Sequence, residues 1–156
     1  MTADDSQSDP PENVAALLDR IDAGWRRFHE AIAGIPDERM GEPGVTGDWS
    51  LQNLFGHIAF WEDIAVQKIP HALAGQPSSD GDVQALNAAD HAARRGRSLP
   101  EERAAMEQAH AALVAQLETI AGADAGALDA AVRDDTYLHY DEHRAEIAAW
   151  RRRHGL

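Results

Sequence analysis

The chain has 156 residues, the size of one ordinary domain, and 44% apolar content is enough to fill a core without cross-links. Its 27 acidic residues against 14 basic ones give a formal net charge of −13, a field that repels nucleic acid and anionic lipid and so excludes both as partners at this stage. No cysteine is present, which removes disulfide frameworks, thiolate metal sites and any catalytic thiol belonging to the chain.

Residues 1–12 are acidic and polar where a signal peptide would be basic and then apolar, and they read as a disordered tail before a single domain over 13–153. No run approaches 18 consecutive apolar residues, so the sequence predicts no membrane span and a cytoplasmic location. Strand-like alternation is missing throughout; apolar residues instead recur every three or four positions, the helical period. The first helix carries Val14, Leu17, Leu18, Ile21, Trp25, Phe28 and Ile32 and ends near Gly34 and Pro36. A turn-rich connection over 36–49 follows, and Ser50 is placed to cap a second helix with Leu51, Leu54, Phe55, Ile58, Trp61 and Ile64 or Ala65 as its stripe. Pro70 is expected to kink or stop it. After the loop 75–82 a short Ala-rich crossover helix is predicted from Val83 to about Arg94. Ser98, Leu99, Pro100 and Glu101 combine a capping box with proline in the first turn, opening a helix that bears Met106, Leu113, Leu117 and Ile120 and closes at Gly122. Beyond a link at 121–126, a last helix is predicted from about Asp135 to Arg152, with Leu138, Ile147 and Trp150 as its apolar residues.

Four long helices, each with one apolar stripe, bury those stripes together most simply as a four-helix bundle. The predicted fold is therefore all-α: a four-helix bundle with a short extra crossover helix.

Chemistry has to come from histidine. His57 lies one turn from both Leu54 and Trp61, on or at the edge of the buried stripe. His139 and His143 are four apart, on a face continued by Ile147 and Trp150, and side chains at that spacing are about 5–6 Å apart at Cβ, close enough for both rings to reach one ion. Two readings stand at this point. Each histidine is individually a satisfied core or cleft residue, or the three share a divalent metal that takes up one buried nitrogen from each ring.

Two stretches resemble a known family. Trp49-Ser50-Leu51-Gln52-Asn53-Leu54-Phe55-Gly56-His57-Ile58-Ala59-Phe60-Trp61-Glu62 is similar to the Trp-Ser…His…Trp/Glu signature of the DinB-like superfamily, small bacterial four-helix-bundle proteins unrelated to the DNA polymerase of the same name. His139-Tyr140-Asp141-Glu142-His143-Arg144-Ala145-Glu146-Ile147 looks like that family's H-Y-x-E-H-x-x-x-I. Asn87, followed by Arg97-Ser98 and the capped helix, also fits the ClbS/DfsB-like subgroup. The resemblance spans 13–152 and implies a divalent metal, zinc or nickel, held by His57, His139 and His143 with open positions filled by water. It further implies either thiol-dependent chemistry, since the family includes S-transferases and a mycothiol-dependent maleylpyruvate isomerase, or a hydrolase. A His₃ ion lowers the pKa of a bound water or thiol, so both chemistries stay open. Because the chain has no cysteine, thiol transfer requires a small-molecule thiol of the mycothiol or bacillithiol class attacking a small electrophile. The alternatives are a metal-hydroxide hydrolase and a non-catalytic metal-binding or sequestering bundle.

His110 shares a stripe with Met106, Leu113 and Leu117 and is a candidate fourth ligand, with an ordinary core histidine the more frequent case. Trp61 is a candidate pocket floor or plain core. Glu62, Asp141, Glu142 and Glu146 are candidates to orient ligand imidazoles, against solvated helix-face acids. His29, His71, His91 and His154 read as surface or loop residues, and Arg94, Arg95, Arg97 and Arg151 to Arg153 as solvated helix ends. Ala-rich faces leave a homodimer open.

Overall fold

The computed structural model describes residues 9–76 and 78–156, so the first eight residues of the predicted tail, and Pro77 in the 75–82 loop, lie outside the described residues. Among the described residues six α-helices occur and no β-strand: α1 Val14–Ile32, α2 Leu51–Leu73, α3 Val83–Ala93, α4 Leu99–Glu118, α5 Ala125–Val132 and α6 Tyr137–His154. The all-α bundle stands. Its four long members are α1, α2, α4 and α6, with α2 seated along α4 and α1 along α6.

Helix starts follow from local chemistry. Ser50 Oγ accepts from the Asn53 N–H while Asn53 Oδ1 accepts from the Ser50 N–H, and Ser98 and Glu101 repeat this reciprocal cap at α4. The stripe of α1 is buried as the period predicts, through Val14, Leu17, Ile21, Trp25 and Phe28. In α2 burial extends well beyond one stripe, to Gly56, His57, Ala59, Glu62, Lys68 and Ile69, because α3, α4, α5 and α6 all contact it. A helix enclosed on several sides is where polar side chains become buried and must find partners.

Four expectations need correction. Helix α2 does not stop at Pro70 but runs to Leu73; in the last turn the missing proline N–H forfeits one hydrogen bond near the end of the ladder, and the Ala74 N–H still donates to the Pro70 carbonyl at 3.1 Å. Helix α5 was not predicted. It has only eight residues, too few for the period to stand out, yet Asp124 caps it and it buries Ala125, Leu128 and Val132, packing on α2. The last helix starts at Tyr137, since Arg133–Asp135 is a 3-10 turn, and Leu138 points outward while Tyr137 and Tyr140 take the core positions. Arg94 and Arg151 are not solvated helix ends either. Arg94 joins Asp90 and the buried Glu102, at 2.9 and 2.8 Å, and Arg151 donates to the carbonyls of Ala31 and Ala33, satisfying the C-terminal end of α1.

The α1–α6 contact depends on Gly24. A Cβ built there would lie 3.0 Å from Tyr137 Cβ and 3.2 Å from Tyr137 Cα, atoms that cannot swing aside. Gly24→Val should therefore push α6 outward and cost about 1–3 kcal/mol, read as a lower urea midpoint with unchanged m-value. Unchanged stability would mean that the two helices are not held this closely.

Candidate metal centre

His57 projects from the buried side of α2, and His139 and His143 project one turn apart from α6. The start of α6 is fixed by α5 and the 3-10 turn after it, where the buried Thr136 hydroxyl donates to the Val132 carbonyl at 2.8 Å. The result is convergence. His139 Nε2 lies 3.0 Å from His57 Nε2 and 2.8 Å from His143 Nε2, and one ligand-type atom from each ring falls within 4.8 Å of the other two. All three side chains are buried.

The protonation states suit a ligand set. Burial, with the neighbouring His143 as second cause, pushes His57 down to about 3. Burial likewise holds His139 well below the usual imidazole range. Both rings are thus neutral near neutral pH. The Glu146 carboxylate is held below its ordinary range chiefly by its hydrogen bond with His143, whose Nδ1 lies 2.8 Å from Glu146 Oε2. That contact fixes the His143 ring with Nδ1 against Glu146 and Nε2 turned toward His139. The Thr46 hydroxyl donates to the same Glu146 oxygen, tying the loop before α2 to the site.

These residues fit a divalent ion. Two nitrogens each about 2.1 Å from one ion are separated by about 3.0–3.4 Å for angles between 90° and tetrahedral. The observed 3.0 Å meets the lower bound of that interval and the 2.8 Å falls just short of it, so an ion would need the His139 and His143 rings to part by a few tenths of an ångström. Lone pairs brought this close repel one another unless a proton or a cation lies between them. The Asp135 backbone is a hydrogen-bond partner of His139, whose Nε2 is the nitrogen turned toward the other two rings.

Above the rings opens a cleft of about 510 Å³. Trp61 forms part of its wall and is anchored by donation from Nε1 to Asn87 Oδ1 at 2.8 Å, so it is both largely buried and a cleft residue. On the other side of His57 the Trp49 ring stands 4.9 Å away, edge to face, and is itself stacked on His91 at 4.9 Å. His91 is therefore part of the cleft's support and not an isolated surface residue.

The remaining candidates fall elsewhere. His110 is outside the converging set: it stacks on Trp25 with centroids 3.7 Å apart and its Nδ1 lies 2.9 Å from Glu62 Oε1. Glu62 is fully buried, accepts from the Tyr140 hydroxyl, and is pushed up by burial; it serves His110 and Tyr140, not the triad. Asp141 pairs with Arg27 and Arg144 on the outside of α6. Glu142 lines the cleft, and Glu146 alone of the four acids orients a triad imidazole. His29 stands 3.3 Å from Glu107, His71 is exposed, and His154 contacts the Trp150 carbonyl.

Sequence reasoning missed Lys68, the only lysine of the chain, whose Nζ lies 2.6 Å from both Asp80 and Asp135 beside the cleft. A signal existed: Lys68 continues the stripe Leu54, Ile58, Trp61, Ala65, a register in which an Arg-rich chain had no evident use for an ammonium group.

No curated protein matches the chain. Among solved structures, an uncharacterised protein from Escherichia coli UTI89 superposes with a TM-score of 0.76 at 14% identity, covering 94% of this chain and 97% of that one. The Sibling Lethal Factor Precursor DfsB superposes at 0.72 and 15% identity, covering 92% and 97%. The colibactin self-resistance protein ClbS, in complex with a dsDNA, superposes at 0.68 and 13% identity, covering 88% and 94%. At these identities the likeness is one of fold. The family assignment rests on sequence pattern: residues 20–154 match the DinB superfamily, and with the helical bundle and its buried histidine cluster already in view, the chain belongs to that superfamily.

Proposed function

We propose that the chain is a metal-dependent enzyme acting on a small molecule, with His57, His139 and His143 as the ligands of a zinc or nickel ion at the floor of the cleft. One observation carries this: three buried imidazoles aim their Nε2 atoms at one point in an open cleft, and no fourth ligand-type side chain joins the cluster among the described residues. Three protein ligands leave coordination positions free, the arrangement of catalytic sites, whereas structural zinc normally takes four. When bound, such an ion supplies Lewis acidity that lowers the pKa of a coordinated water or thiol. The protein's own contribution is to keep His57 and His139 neutral by burial, to orient His143 through Glu146, and to wall the reacting groups with Trp49 and Trp61.

The reaction we assign first is transfer of a low-molecular-weight thiol to an electrophile. The chain lacks cysteine, so the sulfur arrives with a second substrate. A carbon–sulfur bond forms as the leaving group departs with its electron pair, and the thiol proton goes to solvent. With mycothiol, whose frame carries no carboxylate, and a chlorodinitrobenzene, metal-loaded protein should form the thioether at least about tenfold faster than chelated protein, a barrier difference of about 1.4 kcal/mol or more. Equal rates overturn the assignment. Hydrolysis is the second reading, favoured by Glu142, a cleft carboxylate with no ion pair among the described residues, which can accept a proton from water. Product formed with thiol omitted selects it, and stoichiometric capture without turnover selects a sequestering bundle.

ClbS is seen with dsDNA, but for this chain a small molecule is the better assignment. The net charge is −13, and neither Lys nor Arg lines the cleft among the described residues.

A further inference from the structure

The walls of the cleft carry a charge pattern that the triad does not explain. Asp80, Asp134, Asp135, Glu142 and Glu146 all line it, and among the described residues the Lys or Arg paired with them is Lys68, shared between Asp80 and Asp135. Counted at neutral pH, those groups leave four negative charges, and a divalent ion in the triad still leaves two. Arg94, whose charge is felt at His57, is already tied to Asp90 and Glu102 and does not line this cleft. Glu146 is committed to His143 and Thr46, whereas Asp134 and Glu142 are exposed and have no ion-pair partner among the described residues.

Two indole rings, Trp49 and Trp61, also line the cleft beside His57. Trp49 is 4.9 Å and Trp61 6.5 Å from the His57 ring centroid, each roughly edge to face, so both border the mouth of the triad. Trp49 is only half-buried, which leaves ring surface open to a ligand. Aromatic faces and uncompensated carboxylates in a partly enclosed, low-dielectric cleft attract the same kind of molecule: a cation with an apolar body. They repel a carboxylate, sulfonate or phosphate ester as strongly.

We infer that the substrate held over the triad is an organic cation, an amine, amidinium or quaternary ammonium on an aromatic or apolar frame, admitted by Asp134 and Glu142 and seated against Trp49 and Trp61. This rests on the reading of the cleft as the substrate site. It does not require that an ion be bound, because the walls are negative with or without one.

The test uses three phenyl probes of matched size: benzyltrimethylammonium, benzyl alcohol and benzenesulfonate. Each is titrated calorimetrically into the full chain at low ionic strength, once chelated and once zinc-loaded. The quaternary ammonium has no lone pair for a metal, so its binding reports on the walls alone. It should bind at least about tenfold more tightly than the sulfonate in both forms, and shift the NMR signals of the Trp49 and Trp61 indole N–H groups. The Asp134→Asn/Glu142→Gln double variant, altered only at exposed positions, should keep its melting temperature and lose most of that preference, and salt should erode the preference in the wild type. The inference is overturned if the sulfonate binds as well as the ammonium, if the ammonium does not bind, or if the double variant keeps the full preference. Zinc content, read by elemental analysis on the same samples, reports separately on the triad. A chain that holds no zinc but selects the cation defeats the metal reading and leaves this one standing.

Discussion

On the proposed ligand set, replacing His139 by alanine should abolish metal binding. His139 is the middle of the cluster, its Nε2 within 3.0 Å of one partner ring and 2.8 Å of the other, so its loss breaks both close contacts. Outer-shell partners of metal ligands are typically worth about 10–100-fold in affinity, and loss of one of only three direct ligands should exceed that. Measured on tag-free protein after dialysis, metal should fall from about one equivalent per chain to background, and metal-dependent turnover with it. The metal-free variant should be close in stability to metal-free wild type, because the substitution removes the ring whose Nε2 crowds those of His57 and His143. His110→Gln is the contrast. It should keep its metal and lose stability instead, since it breaks the contact with buried Glu62 and the stack on Trp25. Full metal occupancy in His139→Ala, or loss of metal in His110→Gln, would refute the triad as drawn.

The largest effect on folding is expected from Lys68→Met. The methionine fills similar volume but leaves Asp135, buried and next to the turn that starts α6, facing Asp80 with no cation between them. Breaking a buried pair in this way costs about 3–5 kcal/mol. The pH dependence has a definite sign. Burial, partly offset by the hydrogen bond with Lys68, pushes Asp135 up to about 6 from an ordinary 3.8, so the folded chain holds that proton more tightly than the unfolded one. This carboxyl therefore works against stability as pH rises from about 4 to 6. Burial is the largest single influence on Lys68 and lowers it, but the hydrogen bonds and charges of Asp135 and Asp80 together outweigh it and raise the ammonium above 10.5, so its stabilisation is fully present below that value and fades only as pH climbs through the raised one. In Lys68→Met the deficit relative to wild type should be greatest above pH 6 and shrink below it, where protonated Asp135 needs no partner. Urea melts at pH 5 and pH 8 check this, and a deficit independent of pH would show that lost packing, not charge, carries the effect.

Much of the architecture was legible from local pattern. Ser98 and Glu101 closed the capping box their spacing implied, Ser50 capped α2, and the stripes of α1 and α4 were buried as their periods required. The misread places have separate causes. Helix α5 is too short for periodicity to register, Pro70 sits where losing one hydrogen bond is tolerable, and Leu138 yielded its core position to Tyr137 and Tyr140. Only in the last did tertiary packing outweigh local pattern. Acidic residues were the hardest to place. Glu62, Asp141, Glu142 and Glu146 looked alike on helix faces, yet they serve a buried histidine, surface arginines, the cleft and a triad imidazole respectively.

The histidine pair on α6 was visible because four residues make one turn, a fact of covalent and hydrogen-bond geometry that needs no neighbours. That His57, 82 positions earlier, meets the pair was decided by the seating of α2 against α5 and α6; the stripe position of His57 left a shared site as one of two readings, and the family resemblance favoured it. Composition alone determined that any thiol must be borrowed and that the surface is acidic. Only the tertiary structure decided which carboxylates face the cleft, which are consumed by Lys68 or Arg94, and which stay free, because charge is additive along a chain but its compensation depends on what folding brings within a few ångströms.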